Sequence, residues 1–574
     1  MTRSRLFGVG ALVLTVLAAA QQLMLAVGLG GWLPGWQPWP YLLLAAVLWL
    51  VAKPWWLENG PRGAGVPGFW TRAEKWLRRI PVWVYVVGAL ALSAGVWAWL
   101  QDFEPYLGHE EAVYANKARF WFDGTPDAGW GVYRPVGLPA LGTLALWLTG
   151  YEGYASGGGM GALRAVALVL ALVMLCTTYL VARAWTSPRR AVVVTLVLLS
   201  GLGFLRRVPE YLNDIGSTAL LLMVVFLLVR AQERAGTKAG ARALLLVPFV
   251  ALAAFYLRYG VVGNLLAVAL AGVFAYGPRA WLALGWRLWA AVGVLALGLV
   301  PHFLYATERT GKPLGMILSA TSQANREYVG DGLVYYLSVF PYRLAGDLGA
   351  VVMAAGVCAA VAAWLRVRRG GGAGGTGGTG EGARADDRRR VFLGAAALLV
   401  FVVLGVATDG EPRFVYLPVT LLTILGVQAV AELARAWAPR VLVCVGVLAG
   451  LTVFGTAQAV AHGAMPGPAS LGASTVPVAR ALVAQDGESC LIVTGYEPEF
   501  GWYSGCDAVT YRQYRGMKVE PGTRVSFVRF EEGRLQPDAA GVRQLIGGRP
   551  ATLLRMPAAN GGSAGAATVW SVRF

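Results

Sequence analysis

An adjacent carboxylate pair, Glu110-Glu111, is followed by Tyr114, a turn at Asp123-Gly124 and an Arg134-Pro135 step in the stretch GHEEAVYANKARFWFDGTPDAGWGVYRP. It lies just beyond an apolar run, and carboxylates at a membrane boundary are costly unless they are used or paired. The alternative reading of these residues is a solvated loop with interfacial aromatics. A second acidic site stands in LRRVPEYLNDIG, where Glu210 and Asp214 are four apart and would share one face of a helix. Asp214 also suits the N-cap of the apolar run that follows. Arg206 and Arg207 just before it point to an anionic partner. A third site is DGEPRFVYLPV, with Glu411 and Arg413 directly before another apolar run, where the alternative is plain interfacial anchoring. Arg258 ends a further run in YLRYG.

The elements that must position these groups cross a membrane. Of 574 residues, 57% are hydrophobic and only 14% charged, with a mean hydropathy of +0.56. That is more apolar surface than the roughly four soluble domains suggested by length could hide. Thirteen apolar runs are expected to span, at 6–29, 38–53, 81–100, 162–185, 190–205, 215–230, 243–257, 260–277, 284–304, 347–366, 391–407, 414–431 and 439–459. The first follows Arg3 and Arg5, lacks a small-residue cleavage site and reads as a retained span. The net charge of +18 does not imply nucleic acid, because the basic residues gather in short loops as the positive-inside rule expects. Loops 53–79 and 366–390 and the cluster Arg230, Arg234, Lys238 and Arg242 are basic, whereas 101–160 is acidic. The first set is therefore expected in the cytoplasm and the second outside. The arginine, glycine and alanine bias suits a bacterial source, and the localisation expected is the bacterial cytoplasmic (inner) membrane, multi-pass.

Three parts follow. Residues 1–80 hold two N-terminal helices and a cytoplasmic loop, 81–463 the transmembrane domain, and 464–574 an extracytoplasmic α/β domain. Within the second part, 370–383 is a Gly-rich stretch expected to be a flexible cytoplasmic linker. Segments 101–160 and 305–346 are expected to hold short interfacial helices. In the last part, strands are expected at Cys490–Tyr496, Arg524–Phe530, Ala551–Arg555 and Thr568–Phe574, with helices near Val476–Ala484 and Asp538–Ile546. Cys490 and Cys506 are the two cysteines outside spans. In an oxidising compartment they would form a disulfide, the alternative being two free thiols.

The order of the motifs resembles the GT-C superfamily of polyprenyl-phosphate-sugar glycosyltransferases, of the protein O-mannosyltransferase and lipid A aminoarabinose transferase type. That family carries Asp-Glu-x-x-Tyr and then, after a Gly turn, a Lys-Pro-Pro or similar element. Here the matching residues are Glu110-Glu111-Ala112-Val113-Tyr114 and Tyr133-Arg134-Pro135. The resemblance covers most of 81–431. It departs in the Glu that replaces the usual first Asp, and in two spans that precede the one normally first.

The resemblance implies a polytopic α-helical membrane enzyme, an inverting glycosyltransferase. It would move a sugar from a polyprenyl-phosphate donor to the hydroxyl of an acceptor protein, glycolipid or polysaccharide at the outer membrane face. A lipid phosphate is already a good leaving group, so such a reaction needs a base and positive charge for the phosphate, but no general acid. Glu110 is the implied base, and Glu111 positions the loop or contacts a cation. Tyr114, Glu210 and Asp214 are implied substrate contacts. Arg134, with Arg413 or Arg258, would meet the phosphate. No cofactor is required, and a divalent cation is compatible. His109, His302 and His462 have no zinc-ligand spacing, and neither a P-loop nor a dinucleotide motif is present. The competing reading is a secondary transporter or lipid flippase. A third is a noncatalytic envelope-assembly protein that binds through the α/β domain.

Overall fold

The computed structural model describes residues 3–29, 40–58, 72, 75–77, 79–127, 134–152, 159–322, 328–339, 342–369, 379–408, 410–462, 469–483 and 489–574. Tyr133 and residues 370–378 of the expected linker fall outside them. The remainder of that stretch opens the helix Thr379–Ala407. The chain divides into two compact units. One comprises Met1–Val96, Leu170–Val208 and Asp214–His462, and the other Trp97–Val169, Pro209–Asn213 and Gly463–Phe574.

The protein is mostly helical and multi-spanning, with a small C-terminal sheet. Among the described residues, nine stretches are long and apolar enough to cross a membrane. The last, Pro412–Ala461, contains two helices, Tyr416–Ala434 and Ala438–Ala461. Three expected spans are shorter helices, Tyr41–Val51, Pro188–Ser200 and Val261–Tyr276. Length and composition therefore qualify nine stretches holding ten helices among the described residues, and the expected count of thirteen is not confirmed. Apolar runs were read without the helix ends that bends and turns impose, and those ends shorten three of them below a bilayer's width.

In the first unit, helices approach closely where side chains are small. Gly356 and Gly426 let the helix Tyr342–Arg369 meet Tyr416–Ala434 backbone to backbone, where any Cβ would strike a carbonyl of the other helix. The N-terminal helices are tied in by polar contacts. Asp347 accepts the Leu42 and Leu43 N–H groups at 2.7 and 3.0 Å and so caps the start of Tyr41–Val51.

In the second unit, five strands form one sheet. They are β1 (Cys490–Val493), β2 (Asp507–Val509), β3 (Arg524–Phe530), β4 (Thr552–Met556) and β5 (Ala567–Arg573), in the order β2-β1-β3-β5-β4. β1 runs parallel to β2 and β3, and β5 runs antiparallel to β3 and β4. Strand alternation sends Cys490, Ile492, Val528 and Phe530 to one face, where they pack with Val478, Ala479 and Phe500 from helices Ala469–Ala481 and Glu497–Ser504. Leu491, Val493, Val525 and Phe527 go to the other face, against Tyr511, Tyr514, Val542 and Ile546. Asp538 starts the helix Ala539–Ile546 by accepting the Gly541 N–H at 2.8 Å. The sequence reading missed β2, a three-residue strand too short to show a period.

Cys490 and Cys506 are joined by a disulfide with Cα atoms 5.1 Å apart. The closed loop spans 16 residues, for which chain entropy gives about 3 kcal/mol. Neither thiol should be alkylated in the unreduced, unfolded protein, and the Cys490→Ser/Cys506→Ser variant should unfold at a lower temperature. Labelling of both thiols before reduction would show that the bridge does not form in the cell.

Candidate active site

The acidic pair opens the helix His109–Asp123. Gly108 precedes it in extended conformation, and Glu110 and Glu111 in the first turn suit the positive end of the helix dipole. Gly124, at φ 81°, ends it in the left-handed conformation that glycine adopts without strain.

The two carboxylates have different surroundings. Glu110 is half-buried. Glu111 is buried, accepts the Gly108 N–H at 2.9 Å and the Tyr211 N–H at 2.7 Å, and pairs with Arg164 at 3.4 Å. Burial pushes the Glu111 carboxyl above its usual range. The Arg164 guanidinium opposes that rise, Glu210 adds to it, and the two backbone donors oppose it. Both Glu111 oxygens are engaged by these donors, an arrangement suited to positioning.

Tyr114, one turn beyond Glu110, is buried, and its hydroxyl accepts from Asn213 Nδ2 at 2.9 Å. The Arg134 guanidinium lies 5.8 Å from the Tyr114 ring centre. The Arg134 carbonyl accepts from Lys117 Nζ at 3.1 Å, so Lys117 ties the Arg-Pro step to the acidic helix. Burial lowers the Lys117 ammonium to about 8, against a smaller opposing effect of Asp127. Glu210 is buried in the same unit, in a bend before the helix Asp214–Glu233. Glu210 and Asp214 therefore do not share a helical face, because Pro209 and the bend interrupt the helix that the spacing assumed.

Asp214, Arg258 and Arg413 lie in the first unit, where they gather around one ring. Asp214 opens its helix and pairs with Arg258 at 2.5 Å. Arg258 follows the last residue of helix Lys238–Leu257 and stands 4.4 Å from the Phe414 ring centre. Arg413, in the turn Pro412–Val415, stands 5.3 Å from the same ring and pairs with Glu411 at 2.5 Å. Two guanidiniums on one aromatic, each with its own carboxylate, form a compact cluster of balanced charge that holds both guanidiniums in place.

Sequence reasoning missed Arg164, which is fully buried. Its signal was an arginine inside an otherwise apolar run, a position that requires buried partners. It also missed Asn213 and the buried acids Glu497 and Glu499, whose signal was two carboxylates set among aromatics in GYEPEFGWY.

No protein-family model and no curated protein matches the sequence. Solved structures do match the fold. The crystal structure of ArnT from Cupriavidus metallidurans bound to undecaprenyl phosphate aligns with a TM-score of 0.60 at 14% identity, over 85% of this chain and 98% of that one. The apo-state crystal structure of the same ArnT aligns at 0.58 and 14%, over 85% and 97%. Identity this low speaks for fold alone, and on that ground the chain shares the fold of ArnT.

Proposed function

We propose that the protein is an inverting glycosyltransferase that moves a sugar from a polyprenyl-phosphate donor to an acceptor hydroxyl. The observation that carries the reading is the Glu110-Glu111-x-x-Tyr114 helix on a fold shared with ArnT, whose crystal structure holds undecaprenyl phosphate. Glu110 takes the proton of the acceptor hydroxyl. The oxygen attacks the anomeric carbon as its bond to the phosphate oxygen breaks, and the electron pair leaves with the phosphate. Direct displacement inverts the anomeric centre and needs no second carboxylate nucleophile. Arg134, Arg258 and Arg413 are the cations proposed for the phosphate, and Asp214 orients Arg258. Tyr114 and Glu210 are proposed substrate contacts. The acceptor is a protein, glycolipid or polysaccharide. The reading places the enzyme in the bacterial cytoplasmic membrane with residues 464–574 outside, where no nucleotide sugar is available and a lipid-borne donor is required.

The test is transfer from a polyprenyl-phosphate sugar by the purified protein. Arg134→Ala should weaken donor binding or turnover strongly, and Arg134→Lys should rescue only in part, because an ammonium lacks the planar fork. Unchanged donor affinity and rate in Arg134→Ala would make it an interfacial anchor. Movement of labelled lipid across vesicles without glycoside formation would replace the enzyme by a flippase.

A further inference from the structure

At 100° per residue the helix His109–Asp123 has three faces. His109, Asn116 and Arg119 lie on the first, Glu110, Tyr114 and Lys117 on the second, and Glu111 and Ala118 on the third. The third face is held within the loop segments. Glu111 meets Arg164 and the Tyr211 N–H, and the Ala118 carbonyl accepts from Thr143 Oγ1 at 2.9 Å.

The first face is held by the C-terminal domain, on its helix Glu497–Ser504. Asn116 Nδ2 donates to the Pro498 carbonyl at 2.8 Å. Arg119 donates to the Trp502 and Gly501 carbonyls at 2.8 and 2.7 Å, with its guanidinium 4.7 Å from the Trp502 ring centre. Arg119, Asn116 and Glu499 are all buried. A Cβ at Gly501 would come within 3.1 Å of Asn116 Nδ2 and crowd this contact. At the start of the helix, His109 Nδ1 meets Glu499 Oε2 at 3.1 Å and Arg534 Nη2 at 2.8 Å. A single ring nitrogen either donates to the carboxylate or accepts from the guanidinium. Both partners come from the C-terminal domain, and with the proton on Nδ1 it is the Glu499 carboxylate that anchors the residue next to Glu110.

With two faces gripped, rotation and slippage of the helix are blocked, and the face that carries Glu110 is fixed. We propose that Glu499 is a positioning residue for glycosyl transfer, acting through His109 on the first helical turn so that Glu110 meets the acceptor hydroxyl. The C-terminal α/β domain is then a working part of the enzyme rather than an appended binding module. The proposal rests on the reading of Glu110 as base.

The experiment is a double-mutant cycle in the full-length purified protein, with steady-state transfer and thermal unfolding measured for each variant. Glu499→Gln, nearly isosteric but without the charge that strengthens the bond to His109, should lower kcat about ten- to a hundred-fold, as small misplacements of catalytic groups do. It should leave donor KM and the unfolding midpoint unchanged. In a Glu110→Gln background it should cost nothing further, because the group it positions is already disabled. Unchanged kcat in Glu499→Gln, or the same fold-loss in both backgrounds, would overturn the positioning role while a slow Glu110→Gln leaves the base in place. Normal turnover in Glu110→Gln alone would refute the base, and the proposal with it. Should Glu499→Gln shift the unfolding midpoint, His109→Gln, at a side chain 33% exposed, runs the same cycle with the same outcomes.

Discussion

Glu110→Gln should bind the polyprenyl-phosphate donor normally and lose about 10²–10⁴-fold in turnover, the usual contribution of a positioned base. The amide keeps the size of the side chain and cannot accept the proton. Its neighbour should behave differently. Glu111 already receives two backbone N–H groups and faces Arg164, so its carboxylate is committed to holding the helix start. Glu111→Gln should lower the unfolding temperature, and turnover should fall in proportion to the folded fraction. The decisive comparison is the single-turnover rate of the two variants under saturating donor. A collapse in Glu111→Gln with normal chemistry in Glu110→Gln would reverse the roles, and normal turnover in both would move the base to Asp214 or Glu210.

Arg164→Met should destabilise the protein by about 3–5 kcal/mol, the usual cost of removing one partner of a buried ion pair. The guanidinium donates to Gln101 Oε1 at 2.9 Å, the Glu104 carbonyl at 2.5 Å and the Tyr106 carbonyl at 2.8 Å, besides pairing with Glu111. Its loss strands a buried carboxylate and leaves three acceptors without their donor.

The deficit should also depend on pH. The Glu111 carboxyl titrates above its ordinary value in the folded protein, so the folded state holds that proton more tightly than the unfolded chain. Its contribution is fully present below the unfolded value and is lost as pH rises through the folded one. Removing Arg164 takes away the main influence opposing the rise, so the window extends upward and the deficit of Arg164→Met should widen from acidic to alkaline pH. Adding Glu111→Gln should flatten that dependence, since an amide does not titrate. Thermal unfolding in detergent across pH 5 to 9 checks this, and a deficit independent of pH would mean that the ion pair contributes nothing.

Composition alone determined that the chain is a multi-spanning membrane protein, because apolar residues in such excess have no other solvent. A short helix within 101–160 was legible too, with its end at the turn read at Asp123-Gly124. Strand β3 was readable residue for residue, since a short run rich in β-branched and aromatic residues is the local signature of a buried strand. What lay beyond the sequence was partnership across distance. Arg164 lies 53 residues from Glu111, the Tyr211 N–H lies 100 away, and Glu499 lies 390 from His109. Periodicity reports which face of an element is apolar and is silent on which element covers it. Only the tertiary structure decided that Glu111 is held by an arginine from an apolar run, that Arg258 and Arg413 share the Phe414 ring, and that the C-terminal domain grips the helix carrying Glu110. Each of these contacts follows from chain closure over long loops, whose entropy depends on length and hardly at all on the residues at the ends.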